Sequence, residues 1–285
     1  MLELMYITNN PQIAQVADKA GVDRIWIDLE TKDKEKRQNG LDTVKSHHDI
    51  SDISKIRPLL KHAQMQVRIN HINVDSKAEI DAVLAAGVDY IMLPYYKTNE
   101  EVKTFIKYVN GRAITILLLE TKEAVEILDE TLLIEGVDEI HIGLNDLHLS
   151  LNQNFMFEPV ADGMVENICR KIQLAGKPYG FGGIARLGEG MVSAEMVMAE
   201  HYRLRSTRVI LSRSFCKPTP GQSLTEISRQ FNQDLQALKR YEDTVTGKDM
   251  KFLDQEHLKF QQSVATVANM MRNKKQQKLL QKMKE

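Results

Sequence analysis

A single α/β barrel of eight strand–helix units, (β/α)8, with a helical extension at its C-terminal end, is the fold this sequence predicts. Three observations predict it. Short apolar runs recur eight times between residues 2 and 212, and each leads into a stretch with helical periodicity. The runs do not alternate apolar with polar, as expected of parallel strands buried on both faces. No GxGxxG follows the first run, so the main sign of an open doubly wound sheet is missing. A chain of 285 residues is also an ordinary size for one such barrel.

The elements follow in order. LELMYI (2–7) precedes PQIAQVADKAG (11–21), with Pro11 suited to a first turn and Gly21 to a stop. RIWIDLE (24–30) is the second strand. DISDISKIRPLLKH (49–62) reads as a helix that Pro58 ends or kinks. MQVRIN (65–70) precedes SKAEIDAVLAAG (76–87), with Ser76 as a cap and Glu79 at capping-box spacing. DYIMLP (89–94) precedes TNEEVKTFIKYVNG (98–111), and AITILLLE (113–120) precedes TKEAVEILDETLLIEG (121–136). DEIHIG (138–143) precedes a helix around 158–175, and PYGFGG (178–183) precedes SAEMVMAEHYRL (193–204). TRVILS (207–212) completes the strands. Residues 1–222 thus form the barrel core, a helix at about 223–243 closes it, and 244–285 form the extension. Phe260, Val264, Val267 and Met271 make one apolar stripe on that extension.

Composition narrows the setting. The chain is 42% hydrophobic and 27% charged, and its formal net charge is −1. No global electrostatic pull toward nucleic acid or membrane follows from that balance. Cys169 and Cys216 are too few for a disulfide framework or a Cys-rich zinc site, and a reducing cytoplasm is the expected compartment. No signal-peptide pattern opens the chain, and no apolar run approaches the ~18–20 residues of a membrane span.

In such a barrel, the carboxyl ends of the strands meet at one mouth, where the chemistry lies. The residues there are Asp28 and Glu30, Arg68 and Asn70, Glu120, the GLNDL segment with Asp146, and Ser212 with Arg213. Glu120 ends the apolar run ITILLL, and a lone carboxylate there is costly to bury. A divalent cation shared with Asp146 relieves the cost, and two carboxylates completed by water and substrate oxygens suit Mg²⁺ or Mn²⁺. Arg68 offers a planar fork to a substrate carboxylate. The backbone of Gly143, Leu144 and Asn145 can hold the other side of the same anion. Singly, each residue also fits a plainer role: Asp146 as the cap of a short turn, Glu120 in the first turn of a helix.

As an ordered set, AGVDRIWIDLE, VRIN, AGVDYIMLP, ILLLET, EAVEILDE and VDEIHIGLNDLHLSL resemble the HpcH/HpaI aldolase and citrate lyase β-subunit family, from about residue 6 to 217. The resemblance implies a (β/α)8 barrel assembled into homo-oligomers, trimers or hexamers. It implies a divalent metal on Glu120 and Asp146, with Arg68 at the carbonyl or carboxylate of a pyruvate-like 2-oxo acid. An aldehyde or acyl thioester is the second substrate. Pyruvate aldolases of the family carry a His after the second-strand acid, where this chain has Thr31. His47 and His48, in the polar loop 31–48, are the histidines that can fold over the mouth, and His48 is the candidate proton carrier. Asp28 and Glu30 are expected to position metal-bound water.

The Gly-rich PYGFGGIARLGEG (178–190), with Arg186, is either a phosphate-holding loop or a turn with a surface arginine. Arg213 is expected to hold an acidic group of the substrate or to pair with Glu30 or Asp28. His141 reads as a core histidine, and His148 has no clear role. The last segment, 272–285, has six basic residues and one acidic. It is expected to pack on a neighbouring subunit through Leu279, Leu280 and Met283 rather than to bind a polyanion or membrane. The expected function is a metal-dependent carbon–carbon lyase or aldolase. The alternatives are a phosphoenolpyruvate-using transferase or mutase, and a non-catalytic binding or assembly module on the same scaffold.

Overall fold

The computed structural model describes residues 1–32, 48–216 and 221–282, without the side chains at 278–280 and 282. The expected loop 31–48 falls mostly outside these residues, and His47 falls outside them altogether.

All eight expected strands form, and they close in sequence order into a parallel barrel. They are β1 Glu3–Ile7, β2 Arg24–Asp28, β3 Gln64–Arg68, β4 Tyr90–Leu93, β5 Ile114–Leu119, β6 Glu139–Ile142, β7 Tyr179–Ile184 and β8 Arg208–Leu211. The described helices are α1 Pro11–Ala20, α2 Ile50–Ile56, α3 Ser76–Ala85, α4 Asn99–Val109, α5 Lys122–Glu126, α6 Leu128–Thr131, α7 Leu144–Ser150, α8 Glu158–Ala161, α9 Met164–Leu174, α10 Ala194–Arg203, α11 Leu224–Val245 and α12 Met250–Lys282. Among them, none is long and apolar enough to cross a membrane.

Successive strand residues face opposite sides, so each strand gives alternate residues to the barrel interior. Three layers result. Met5, Trp26, Tyr90, Met92, Ile116 and Leu118 form a small apolar cluster, separate from the larger core between strands and helices. Below it, the amino-terminal ends carry an ion ring. Arg24 donates to Glu139 at 2.8 Å and pairs with Glu3, while Arg208 reaches the same Glu139 at 2.9 Å and Glu3 at 3.1 Å. The Arg24 guanidinium lies 3.7 Å above the Tyr90 ring. These ion pairs fill the amino-terminal end of the barrel with charged groups that satisfy one another. Above the apolar layer come Asp28, Arg68 and Glu120, at the mouth.

Several local expectations change. The helix read over 121–136 forms as α5 and α6, and the one read over 158–175 as α8 and α9, broken at Gly163 with φ +86. Ser76 is the first residue of α3 rather than its cap, and its hydroxyl accepts the Asn73 N–H at 2.8 Å. Glu79 makes no capping box. It instead accepts from the Asn70 side chain at 2.8 Å and the Asn70 N–H at 3.1 Å. The first three glycines of the Gly-rich segment lie inside β7, not in a loop. A Cβ on Gly180 would overlap the Arg208 carbonyl of β8, and one on Gly182 would fall 2.7 Å from the Leu144 side chain. Gly180 and Gly183 serve the β7–β8 seam, and Gly182 makes room for α7.

The extension folds back on its own chain. Phe260, Val264 and Val267 are buried as α12 crosses α10 and α8. Phe260 meets Phe157 edge-on at 5.8 Å, and His257 Nδ1 is 2.8 Å from the buried Glu200 carboxylate. The apolar stripe is therefore covered within the chain. The Leu279 and Leu280 side chains and Met283, expected at a subunit contact, lie outside the described residues.

Candidate active site

Strand register assembles the mouth. Asp28 and Arg68 are aligned partners at the ends of β2 and β3. The Arg68 guanidinium donates through Nε to Asp28 Oδ1 at 2.9 Å and through Nη2 to Oδ2 at 2.8 Å, and Nη1 is 3.4 Å from Glu30 Oε2. Its carbon lies 5.4 Å above the Trp26 ring, which floors the site. Burial works against the charge on Arg68, but Asp28, Glu30 and Glu120 outweigh it and hold the guanidinium well above its usual range. The expected pairing of Arg213 with Glu30 or Asp28 is therefore corrected, because Arg68 takes both acids. Arg213 itself is exposed and has no ion pair among the described residues.

The β5–β6 register does the same for the second pair. Leu119 aligns with Ile142, and the Gly143 N–H donates to Leu119 O at 2.9 Å. Glu120 is 2% exposed, and its Oε1 accepts the Tyr95 N–H at 3.0 Å. A Cβ on Gly143 would fall 2.7 Å from Glu120 Oε2, so the carboxylate needs glycine there. Gly143 opens α7 without a side-chain cap, and Asp146, 7% exposed, lies in the first turn of that helix. Glu120 and the start of α7 thus meet at Gly143. Leu144 is buried and Asn145 exposed. Among the described residues, no group of three His, Cys, Asp or Glu side chains gathers to hold an ion. An ion on Glu120 and Asp146 would complete its shell with water and substrate oxygens, a donor set that fits Mg²⁺ or Mn²⁺.

The histidines separate clearly. His48 Nδ1 accepts the Asp28 N–H at 2.9 Å, which brings the chain beyond the polar loop back to the end of β2. That bond uses the Nδ1 lone pair, so the neutral ring carries its proton on Nε2. His141 is fully buried beneath the site, edge-on to Trp26 at 6.5 Å, and burial pushes it down to about 3. His148 Nδ1 lies 3.0 Å from Leu144 O, and burial lowers its pKa. Arg186 does not reach toward an open anion site. It binds Asp234 of α11 at 3.1 Å and Glu189 at 2.5 Å.

Three supports of the site carry no partner signal in the sequence, one of them Asn70, whose place at the mouth was expected. Asn70 Oδ1 accepts the N–H groups of Thr31 and Lys32, each at 3.0 Å, and so ties the exit of β2 to that of β3. Trp26 was read only as part of a strand. Tyr95 acts through its backbone, which carries no residue-type signal.

The family model for HpcH/HpaI aldolase/citrate lyase matches residues 3–206. This chain belongs to the HpcH/HpaI aldolase/citrate lyase family. A 2-keto-3-deoxy-L-rhamnonate aldolase of Escherichia coli O1:K1 / APEC is 33% identical over 85 residues, which are 30% of this chain and 32% of that relative. The chain thus matches about a third of the length of the curated relatives it resembles. A solved HpcH/HpaI aldolase of Desulfitobacterium hafniense DCB-2 superposes with a TM-score of 0.57 at 17% identity, over 74% of this chain and 86% of that one. The citrate synthase SbnG gives 0.55 at 18%, over 84% and 94%. The two superpositions show a shared fold, and the family model shows the family.

Proposed function

We propose that this family member forms or cleaves a carbon–carbon bond to a small 2-oxo acid through an enolate, with Mg²⁺ or Mn²⁺ held by Glu120 and Asp146. The placement of two buried carboxylates around Gly143 carries this reading: Glu120 at the end of β5 lies against it, and Asp146 sits in the first turn of the helix it opens. Asp28, Glu30, Glu120 and Asp146 are all buried, and Arg68 is the guanidinium paired with the first two. The likeness to the rhamnonate aldolase supports a 2-keto-3-deoxy acid as the substrate class, over the part of the chain that it covers.

Arg68 is fixed on its Nε–Nη2 edge by Asp28, and Nη1, 3.4 Å from Glu30 Oε2, carries a second N–H that would meet the oxygen on which charge develops. Asp28 and Glu30 orient Arg68 rather than a metal-bound water. The Gly143 N–H is already given to Leu119 O, so the N–H groups of Leu144 and Asn145, in the first turn of α7, are the ones that would take the substrate carboxylate. A bound divalent cation supplies Lewis-acid stabilisation of the developing oxyanion. With Nδ1 engaged by the Asp28 N–H, neutral His48 would present Nε2–H as a hydrogen-bond donor rather than carry a proton. The phosphoenolpyruvate alternative loses its support, because the β7 glycines pack against β8 and α7 and Arg186 is held by Glu189 and Asp234.

Exchange of pyruvate methyl protons for deuterium, followed by NMR with and without Mg²⁺ or Mn²⁺, tests the proposal. The parent chain should exchange only with metal, and Glu120→Gln and Asp146→Asn should not exchange. Equal rates in parent and variants would show that these acids are not the ligands. No exchange by the parent under any condition would favour a binding module.

A further inference from the structure

The turn after β4 is strained at one residue. Tyr95, which follows Pro94, has φ +52, a left-handed conformation that bulky side chains rarely adopt. Three other non-glycine residues share positive φ among the described residues: Asn110, Asn152 and Arg205. Each of these stands at or just beyond the C-terminal cap of a helix, where the left-handed conformation is an ordinary stop. Tyr95 follows a strand instead, so helix termination does not explain it. Its N–H is 3.0 Å from Glu120 Oε1. On the other side of that carboxylate, Glu120 Oε2 lies against Gly143. One residue further, Thr121 Oγ1 donates to Tyr96 O at 2.8 Å, so the turn and the end of β5 are joined twice.

We propose that the left-handed backbone at Tyr95 is an orienting device for Glu120. It occupies Oε1 with a main-chain N–H and leaves Oε2 turned toward Gly143 and the first turn of α7, where Asp146 sits. A side-chain donor could swing away, but a main-chain N–H held between two strand ends cannot. The carboxylate plane is thereby fixed before any ion arrives. Tyr95 is a positioning residue, and its role rests on the reading of Glu120 as a metal ligand.

The test is Mn²⁺ affinity of the full chain, read from the electron paramagnetic resonance signal of free Mn²⁺. Tyr95→Gly and Tyr95→Asn keep the N–H and accept the left-handed conformation. Tyr95→Val and Tyr95→Thr keep the N–H but resist that conformation. The Gly and Asn variants should bind within about twofold of the parent, and the Val and Thr variants about tenfold more weakly, the scale on which lost ligand support is felt. Circular dichroism checks folding, and if one β-branched variant does not fold the other carries the comparison. Equal affinity in all four variants overturns the proposal, as does a loss in Tyr95→Gly as large as in Tyr95→Val. Glu120→Gln separates the two levels. If it binds Mn²⁺ like the parent, the metal assignment itself is wrong. If it loses Mn²⁺ while Tyr95→Val does not, only the orienting role falls.

Discussion

Asp28 and Arg68 face each other across the β2–β3 ladder with both carboxylate oxygens engaged, at 2.9 Å and 2.8 Å. The pair is a consequence of register, because a one-residue slip would send one partner to the helix side of the barrel. Arg68→Lys keeps the charge but loses the fork. Its pyruvate exchange rate should fall about 100-fold, the scale of losing one oriented donor to a developing oxyanion. Arg68→Ala should also cost about 3–5 kcal/mol in urea unfolding, because two buried acids lose their partner. A Lys variant with parental exchange would remove Arg68 from the chemistry.

Gly143 is required by its neighbour rather than by its own backbone, since its φ of −84 suits any residue. Gly143→Ala would place a methyl group 2.7 Å from Glu120 Oε2 and 2.9 Å from Glu120 Cβ. The carboxylate must turn away to make room. The expected result is a loss of Mn²⁺ affinity and of exchange of about tenfold or more, with the barrel still folded. Retained affinity in a folded Gly143→Ala variant would show that the Glu120 carboxylate has freedom the geometry denies it.

The strands were legible because burial on both faces leaves an apolar run, and Glu120 was legible because it ends such a run with a charge. Partners were not. Arg68 looked like an open fork because the sequence does not show that register sets Asp28 beside it. Arg186 read equally as an anion ligand or a surface arginine because its partner Asp234 is 48 residues away on the closing helix. The glycines of β7 suggested a loop, yet close packing demands them: β8 approaches Gly180 and Gly183, and the Leu144 side chain of α7 approaches Gly182, which also has φ +51. The stripe on α12 was readable as apolar, but an apolar face does not say whether its cover is another subunit or its own α8 and α10.

His141 and His201 give the fold a defined acid sensitivity. Both are fully buried, and burial pushes each down to about 3 from an ordinary 6.5. Near neutral pH both are uncharged in the folded and unfolded states, so neither alters stability. As pH falls below about 6.5, the unfolded chain takes up protons that the folded chain refuses. Each group then removes about 1.4 kcal/mol per pH unit until its folded pKa is reached. Asp18 and Asp52, held low by hydrogen bonds that outweigh their burial, add their own loss only nearer the carboxylate range around pH 4. Urea unfolding between pH 6 and pH 5 should therefore show a steep decline in stability. In His141→Leu that slope should lose the His141 share, about 1.4 kcal/mol per pH unit at most, while His201 and the partly buried His148 keep theirs. An unchanged slope would mean that His141 titrates normally in the fold.

Phe260 decides whether the extension is part of the barrel or an appendage. It is buried against Phe157, beside Val264, on the one face of α12 that α8 and α10 cover. The same helix face carries His257 to Glu200, and Gln261 Nε2 donates to Ala161 O at 2.8 Å. Truncating a buried phenylalanine costs about 3–5 kcal/mol, more than two polar contacts near the surface restore. Phe260→Ala should therefore loosen α12 as a unit while the strands, whose contacts it does not touch, stay closed. Hydrogen exchange followed by mass spectrometry should show the amides of 250–271 exchanging far faster, with β1 to β8 unchanged. If those amides keep their protection in Phe260→Ala, something other than this contact holds the helix down. A contact with a second copy of the chain would then be the first place to look.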